Sequence, residues 1–268
     1  YMFLKNYFLK EKIKQNSYFI WNSQKKNIQT IKEFKPLDLK LIIGVDNQKE
    51  ILLKNTVNFA EGNFTNNALL WGARGNGKSS LIKSVFNEIL IDHKNLKLIQ
   101  LNKNDIFDIE YIYSILDKYN RFRFIIFIDD LSFEKIDSDY KIIKSTLDGS
   151  IQNQPTNILL YVSSNRRHLM PRDMIDNERS SAIHTDESVE EKISLSDRFG
   201  LWIGFHKLSQ TDYLKIIETY CQHYKINYDE EIRKKAIQWS LQRGNRTGRT
   251  AWQFILNTAS DQNLKIKI

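Results

Sequence analysis

Cysteine is almost absent from this chain of 268 residues, where Cys221 stands alone. That excludes a disulfide framework and suits a reducing compartment. Cys221 falls in an amphipathic pattern and is expected in the core. No run of about 18 apolar residues occurs, so no membrane span is expected. The opening Tyr1-Met2-Phe3-Leu4-Lys5 lacks the long apolar stretch of a signal peptide. Its first residue is not Met, so the native start is expected to be missing. A cytoplasmic location is the expectation. The five histidines are scattered without metal-ligand spacing. Neither G-x-S-x-G nor H-E-x-x-H appears, and there is no internal repeat or low-complexity linker. A block of five or six basic residues is lacking too, although the net charge is +8 and the pI about 9.3. The charge is compatible with a nucleic-acid partner but does not select one.

Glycine is scarce as well, which gives weight to the place where it clusters. The run Leu70-Trp71-Gly72-Ala73-Arg74-Gly75-Asn76-Gly77-Lys78-Ser79-Ser80 matches G-x-x-x-x-G-K-[ST], the phosphate-binding loop. An apolar strand, Ala68 to Trp71, precedes it. A helical pattern (Leu81, Ile82, Val85, Phe86, Ile89, Leu90) follows. Glycines let the backbone bend and aim several N–H groups at one anion, and the helix dipole adds positive potential there. Lys78 supplies a full charge to the β- and γ-phosphates of a nucleotide, and Ser79 a hydroxyl to Mg²⁺.

A second segment, Phe122 to Asp130, reads as a buried strand ending in two carboxylates. Apolar on both faces, it fits a parallel sheet, whose carboxyl ends open onto the ligand crevice. Asp129 is expected to hold Mg²⁺ and Asp130 to orient or deprotonate the attacking water. Many motors of this kind carry Glu at the second position, and Asp is one methylene shorter.

Three parts are expected along the chain. Residues 1–38 form a helical extension and linker. In its aromatic-rich first part, Phe3 and Tyr7, and Leu4 and Phe8, are spaced for one helix face, and residues 22–38 read as polar linker. Residues 39–207 alternate strand and helix, the pattern of an α/β parallel sheet flanked by helices. Within them, a segment over 166–196 has only patchy periodicity. Residues 208–268 form a small C-terminal helical lid. There Ser209-Gln210-Thr211-Asp212 resembles a capping box, and three apolar-faced helices follow.

Further polar positions complete a nucleotide-hydrolysing site. Asn165, at the end of the strand after the acidic one, can bond a γ-phosphate or the attacking water. Arg198, just before the last core strand, can act in the next subunit as an arginine finger, or make a salt bridge with Asp197. Arg249 can reach from the lid to the β- and γ-phosphates, with Arg246 as the competing candidate.

Taken together, this order resembles the AAA+ ATPases. Specifically, the chain is similar to a bacterial family of AAA+ ATP-binding proteins catalogued as a domain of unknown function. The matching segments are Leu41 to Lys49, Leu70 to Ser80, Asp129 to Glu134, Ser163 to Leu169, Glu190 to Trp202 and Gly244 to Phe254, with Trp21 a further family feature. The run Asp197-Arg198-Phe199-Gly200 also resembles part of the Holliday-junction branch-migration motor. The resemblance implies a P-loop NTPase fold, ATP, Mg²⁺ and ring or filament assembly. It also implies that Gly44 and Val45 flank adenine, that Asn165 matches sensor 1, Arg198 the finger and Arg249 sensor 2. Lys103-Asn104-Asp105-Ile106-Phe107 stands where an aromatic–apolar–Gly loop would serve threading, so polypeptide threading is not supported.

The leading reading is an oligomeric, Mg²⁺-dependent ATPase that remodels or loads a protein or nucleic-acid partner. A slow ATP-gated switch in the manner of helicase loaders is the second, favoured by Asp130 in place of Glu. A small-molecule P-loop kinase is the third, and Arg198 and the helical lid argue against it.

Overall fold

A computed structural model describes residues 2–134, 138–148, 154–169 and 195–266. Helix α1 (Met2–Gln15) leads into a hairpin of β1 (Tyr18–Asn22) and β2 (Asn27–Thr30). Then come α2 (Asp46–Ala60), β3 (Ala68–Gly72), α3 (Lys78–Ile89), β4 (Leu96–Leu101) and α4 (Ile109–Leu116). The core continues with β5 (Arg123–Ile128), α5 (Ser138–Asp148), β6 (Ile158–Ser164) and β7 (Leu201–Phe205), and ends in α6 (Gln210–Tyr224), α7 (Glu230–Gln242) and α8 (Gly248–Asp261). No described helix is long and apolar enough to cross a membrane.

The strands form one sheet in the order β2-β1-β4-β5-β6-β3-β7. All neighbours are parallel except β1 and β2. Strand β5 is apolar on both faces because helices cover both, and Phe124 to Ile128 are wholly buried. One face packs with Ile109, Ile112, Leu131 and Tyr140, and the other with Leu52, Phe59, Leu81 and Val85. The phosphate loop leaves β3 next to β6, with Leu70 paired to Ser163, and Ile128 of β5 is paired to Val162. Three strands thus end side by side, and the loops that leave them meet at one edge of the sheet.

The expected linker over 22–38 is corrected here. Residues 27–30 form the sheet's outermost strand, and Trp21 lies in β1. The indole of Trp21 donates to the Asp108 carboxylate at 2.8 Å, and Lys26 pairs with the other Asp108 oxygen. Ile28 is the single fully inward residue of β2, whose burial pattern otherwise shows half-buried positions. One apolar residue in a four-residue edge strand is too little alternation to read as a strand. Helix α1 docks through Leu9 and Ile13, while Tyr7 and Phe8 are exposed. The side chains of Phe3 and Leu4, and residues 170–194 of the expected long segment, lie outside the described residues.

Helices α6 to α8 build a separate apolar cluster around Tyr213, Ile217, Ala236, Ala251 and Phe254. The capping box forms as expected: Asp212 N–H donates to Ser209 Oγ at 3.0 Å and Ser209 N–H to Asp212 Oδ2 at 3.3 Å. Leu41 joins this cluster and its neighbour Ile42 the sheet's, so the two clusters meet at this point of the chain.

Candidate nucleotide site

The loop from Gly72 to Gly77 turns the chain out of β3 into α3. Gly72 has φ +140°, and a Cβ there would lie 2.1 Å from the Phe205 carbonyl oxygen of β7. Gly77 has φ +90° and caps α3 with no side-chain bond. Its place at the helix start leaves the first N–H groups of α3 open to a ligand.

Lys78 is buried, with 6% exposure. Its Nζ donates to the carbonyls of Gly72 at 2.7 Å and Ala73 at 2.9 Å, and to Asn165 Oδ1 at 3.1 Å. Burial lowers its pKa from the usual lysine value; the carboxylates of Asp130 and Asp129 oppose that shift, and Arg249 and Arg74 add to it. Ser79 Oγ and Ser163 Oγ both donate to Asp129 Oδ1, each at 2.5 Å. A hydroxyl and a carboxylate oxygen so placed are the hard donors that suit Mg²⁺.

Asp130 sits just past β5 with φ +54°, left-handed and uncommon for a residue with a Cβ. Three contacts hold it. Its N–H donates to Ser163 Oγ at 3.0 Å. Asn165 Nδ2 donates to Oδ1, and Arg74 Nη2 lies 3.2 Å from Oδ2. Asn165 therefore links Lys78 to Asp130 through the two ends of one amide. Glu134, further on, is exposed and pairs with Arg166 at 2.8 Å.

These groups open onto a cleft of about 900 Å³ lined by residues of the sheet's loops and of α6 and α8. Arg74 to Ser80, Asp129, Asp130, Asn165 and Arg249 all line it, while Gly72 and Ala73 of the same run do not. Arg249 N–H donates to the Gly75 carbonyl at 3.2 Å, which fixes the start of α8 against the phosphate loop. Arg246 does not line the cleft; its Nη2 donates to Gln210 at 3.3 Å.

Gly44 and Val45 do not line the cleft, which corrects their expected place. Leu41, Ile42 and Ile43 form the wall there instead. Gly44, at φ +79°, faces Leu208 and Asp212, and Val45 is buried in the core just ahead of α2. Arg198 does not line the cleft either. It precedes β7, whose far end, Phe205, pairs with Gly72, so at about 3.3 Å per residue some 15 Å of strand separate it from the loop.

Residues at the other end of the cleft escaped the sequence reading. Residues 35–38 form one wall, although they sit in the stretch read as linker. Tyr220, Tyr224 and Trp252 also line the cleft, with the Tyr220 and Trp252 rings edge to face at 5.8 Å. Tyr220 was visible in the sequence only as part of an apolar helix face. The i, i+4 spacing of Tyr220 and Tyr224 was the available signal.

Residues 14–262 match a family model described as "Protein of unknown function (DUF815)". The chain belongs to that family. No curated protein matches it. Among solved structures, it is similar to Orc1 of Aeropyrum pernix, determined in complex with DNA: TM-score 0.58, 14% identity, 85% of this chain and 65% of that one. It is also similar to domain III of the replication initiation protein DnaA of Thermotoga maritima, with TM-score 0.55, 12% identity and coverage of 87% and 94%. A mutant of Thermotoga maritima RuvB gives TM-score 0.53 at 16% identity over 86% and 74%. At such identities the likeness is one of fold: this DUF815 chain has the AAA+ P-loop ATPase fold.

Proposed function

We propose that this DUF815 protein binds ATP with Mg²⁺ in the cleft and hydrolyses it. The observation that carries the reading is the convergence of Ser79 and Ser163 on Asp129 Oδ1, beside Lys78 and Asp130. Lys78 would exchange its loop carbonyls for the β- and γ-phosphate oxygens. Ser79 and Asp129 would hold Mg²⁺, which when bound with nucleotide offsets phosphate charge. Asp130 would orient and deprotonate the attacking water, with Asn165 positioning both Asp130 and the γ-phosphate. Arg249 would sense the nucleotide from the lid. The aromatic wall of Tyr220 and Trp252 suits a base.

Arg198 precedes β7 and does not line its own cleft. In our reading it serves a neighbouring subunit, so the working form is a homo-oligomer, a motor that remodels or loads a protein or nucleic-acid partner. We take residues 39–207 as the ATPase core and 208–268 as its lid. A slow ATP-gated switch is the second reading. It is favoured by the pairing of Asp130 with both Arg74 and Asn165, which occupies both carboxylate oxygens. Phosphate release under saturating Mg²⁺-ATP, compared with the dissociation constant of a fluorescent ATP analogue, tests the proposal. Tight binding with turnover on the scale of hours selects the switch. No nucleotide binding overturns both.

A further inference from the structure

A second recess, of about 660 Å³, lies between the phosphate loop and the loop joining α7 to α8. It shares Arg74, Gly75, Asn76, Leu208 and Arg249 with the nucleotide cleft, but Lys207, Arg243 and Arg246 belong to it alone. Its charged lining has one sign. Arg74, Lys207, Arg243, Arg246 and Arg249 face it, and no Asp or Glu does among the described residues.

Two features suit it to an anion. The Arg243 guanidinium lies over the Trp239 ring, with Cζ 3.4 Å from the centroid. Stacking of that kind fixes the plane and leaves the N–H edge available. The Nε of Arg246 is buried with no hydrogen-bond partner. The rest of that guanidinium borders the recess, with Nη2 on Gln210 at 3.3 Å. The start of α8 adds the positive end of a helix of 14 residues. Five like charges around one hollow repel one another, and a multiply charged anion relieves that repulsion. Guanidinium forks match phosphate oxygens in geometry as well as charge.

We propose that this recess binds a phosphate group distinct from those of the nucleotide, carried by a nucleic-acid backbone or by a free polyphosphate. The proposal rests on reading the adjoining cleft as the nucleotide site. Because Arg74 lines both hollows, a phosphate in the recess would compete with Asp130 for its guanidinium.

The test uses the whole chain saturated with Mg²⁺-ADP and two probes, inorganic tripolyphosphate and a short fluorescein-labelled oligothymidine. The double variant Arg243→Gln with Lys207→Gln removes two recess charges outside the nucleotide cleft. The parent should bind at least one probe, one per chain, and the double variant should bind it at least tenfold more weakly at unchanged ADP affinity and unfolding temperature. Binding of the oligothymidine alone assigns the phosphate to nucleic acid, and binding of tripolyphosphate assigns it to a free polyphosphate. Neither probe binding, equal binding by the variant, or displacement of the probe by ADP overturns the proposal. A chain that takes no ADP defeats the nucleotide reading by itself. The recess is then judged by the same variant comparison without nucleotide.

Discussion

The Arg74 guanidinium reaches from the phosphate loop to Asp130, with Nη2 3.2 Å from Oδ2. Both side chains are substantially exposed, at 74% and 45%, so the pair is worth no more than about 1 kcal/mol. Yet it engages the carboxylate assigned to the attacking water. Arg74→Gln should therefore raise turnover, by about fivefold at most, with little change in ATP affinity. Steady-state phosphate release at saturating ATP reads this. A large fall in turnover would instead make Arg74 a direct contact of the transferred phosphate.

Lys78→Ala removes the buried cation at the loop. Loss of a charge-assisted contact in a partly dehydrated site costs about 2–4 kcal/mol, so ATP affinity should fall well over tenfold. A fluorescent-nucleotide titration gives the constant, and circular dichroism checks the fold. Unchanged affinity would remove the site assignment.

The two carboxylates should separate by function. Asp130→Asn is expected to bind ATP while turnover drops roughly 10²-fold. Asp129→Asn should shift the Mg²⁺ concentration needed for binding and turnover. If Asp130→Asn turns over at the parent rate, the water is positioned elsewhere. Glu134 is then the first alternative, although Arg166 holds it at 2.8 Å.

Arg198 supplies a complementation experiment. Arg198→Ala should bind ATP and scarcely hydrolyse it, since a trans arginine can be worth roughly 10³-fold in rate. Mixed with Lys78→Ala, which fails to bind, it should regain some activity at mixed interfaces. Parent turnover should also rise faster than linearly with protein concentration. Linear rates in a protein that stays monomeric with ATP, with no recovery on mixing, would reduce Arg198 to a local structural role.

Lys97 predicts a pH dependence of stability. Its side chain is 2% exposed, and burial lowers its pKa from 10.5 to about 8. Nζ donates to the Asn16 carbonyl at 2.9 Å, just past the end of α1. Below pH 8 the lysine is charged folded and unfolded, and the burial cost is fully present. Between pH 8 and 10.5 the unfolded chain holds the proton more tightly, so stability contributed here rises with pH. Denaturant melts across that window should show a more positive slope for the parent than for Lys97→Met.

The sequence by itself determined the local chemistry. Gly72 to Ser80 carries its own geometry, because glycines at fixed spacing before an amphipathic helix set a tight turn into the helix start. The apolar run ending in Asp129 and Asp130 announces a doubly covered strand, since burial on both faces leaves no polar position until the strand ends. The capping box of α6 and the apolar faces of α6 to α8 were equally legible, being set within a few residues.

Tertiary structure decided what depends on residues far apart in the chain. Only the strand order brings Asn165 between Lys78 and Asp130, and only the docking of α8 on the phosphate loop chooses Arg249 over Arg246 for the cleft. The hairpin of β1 and β2 exists because the sheet edge and Asp108 stabilise strands too short to show a period. Leu41, Ile42 and Ile43, rather than Gly44 and Val45, line the cleft, a choice among chain neighbours that spacing cannot encode. The basic recess gathers Arg74, Lys207, Arg243, Arg246 and Arg249 from three separate stretches of chain. Charge scattered along a sequence becomes a field only once folding sums it at one point in space.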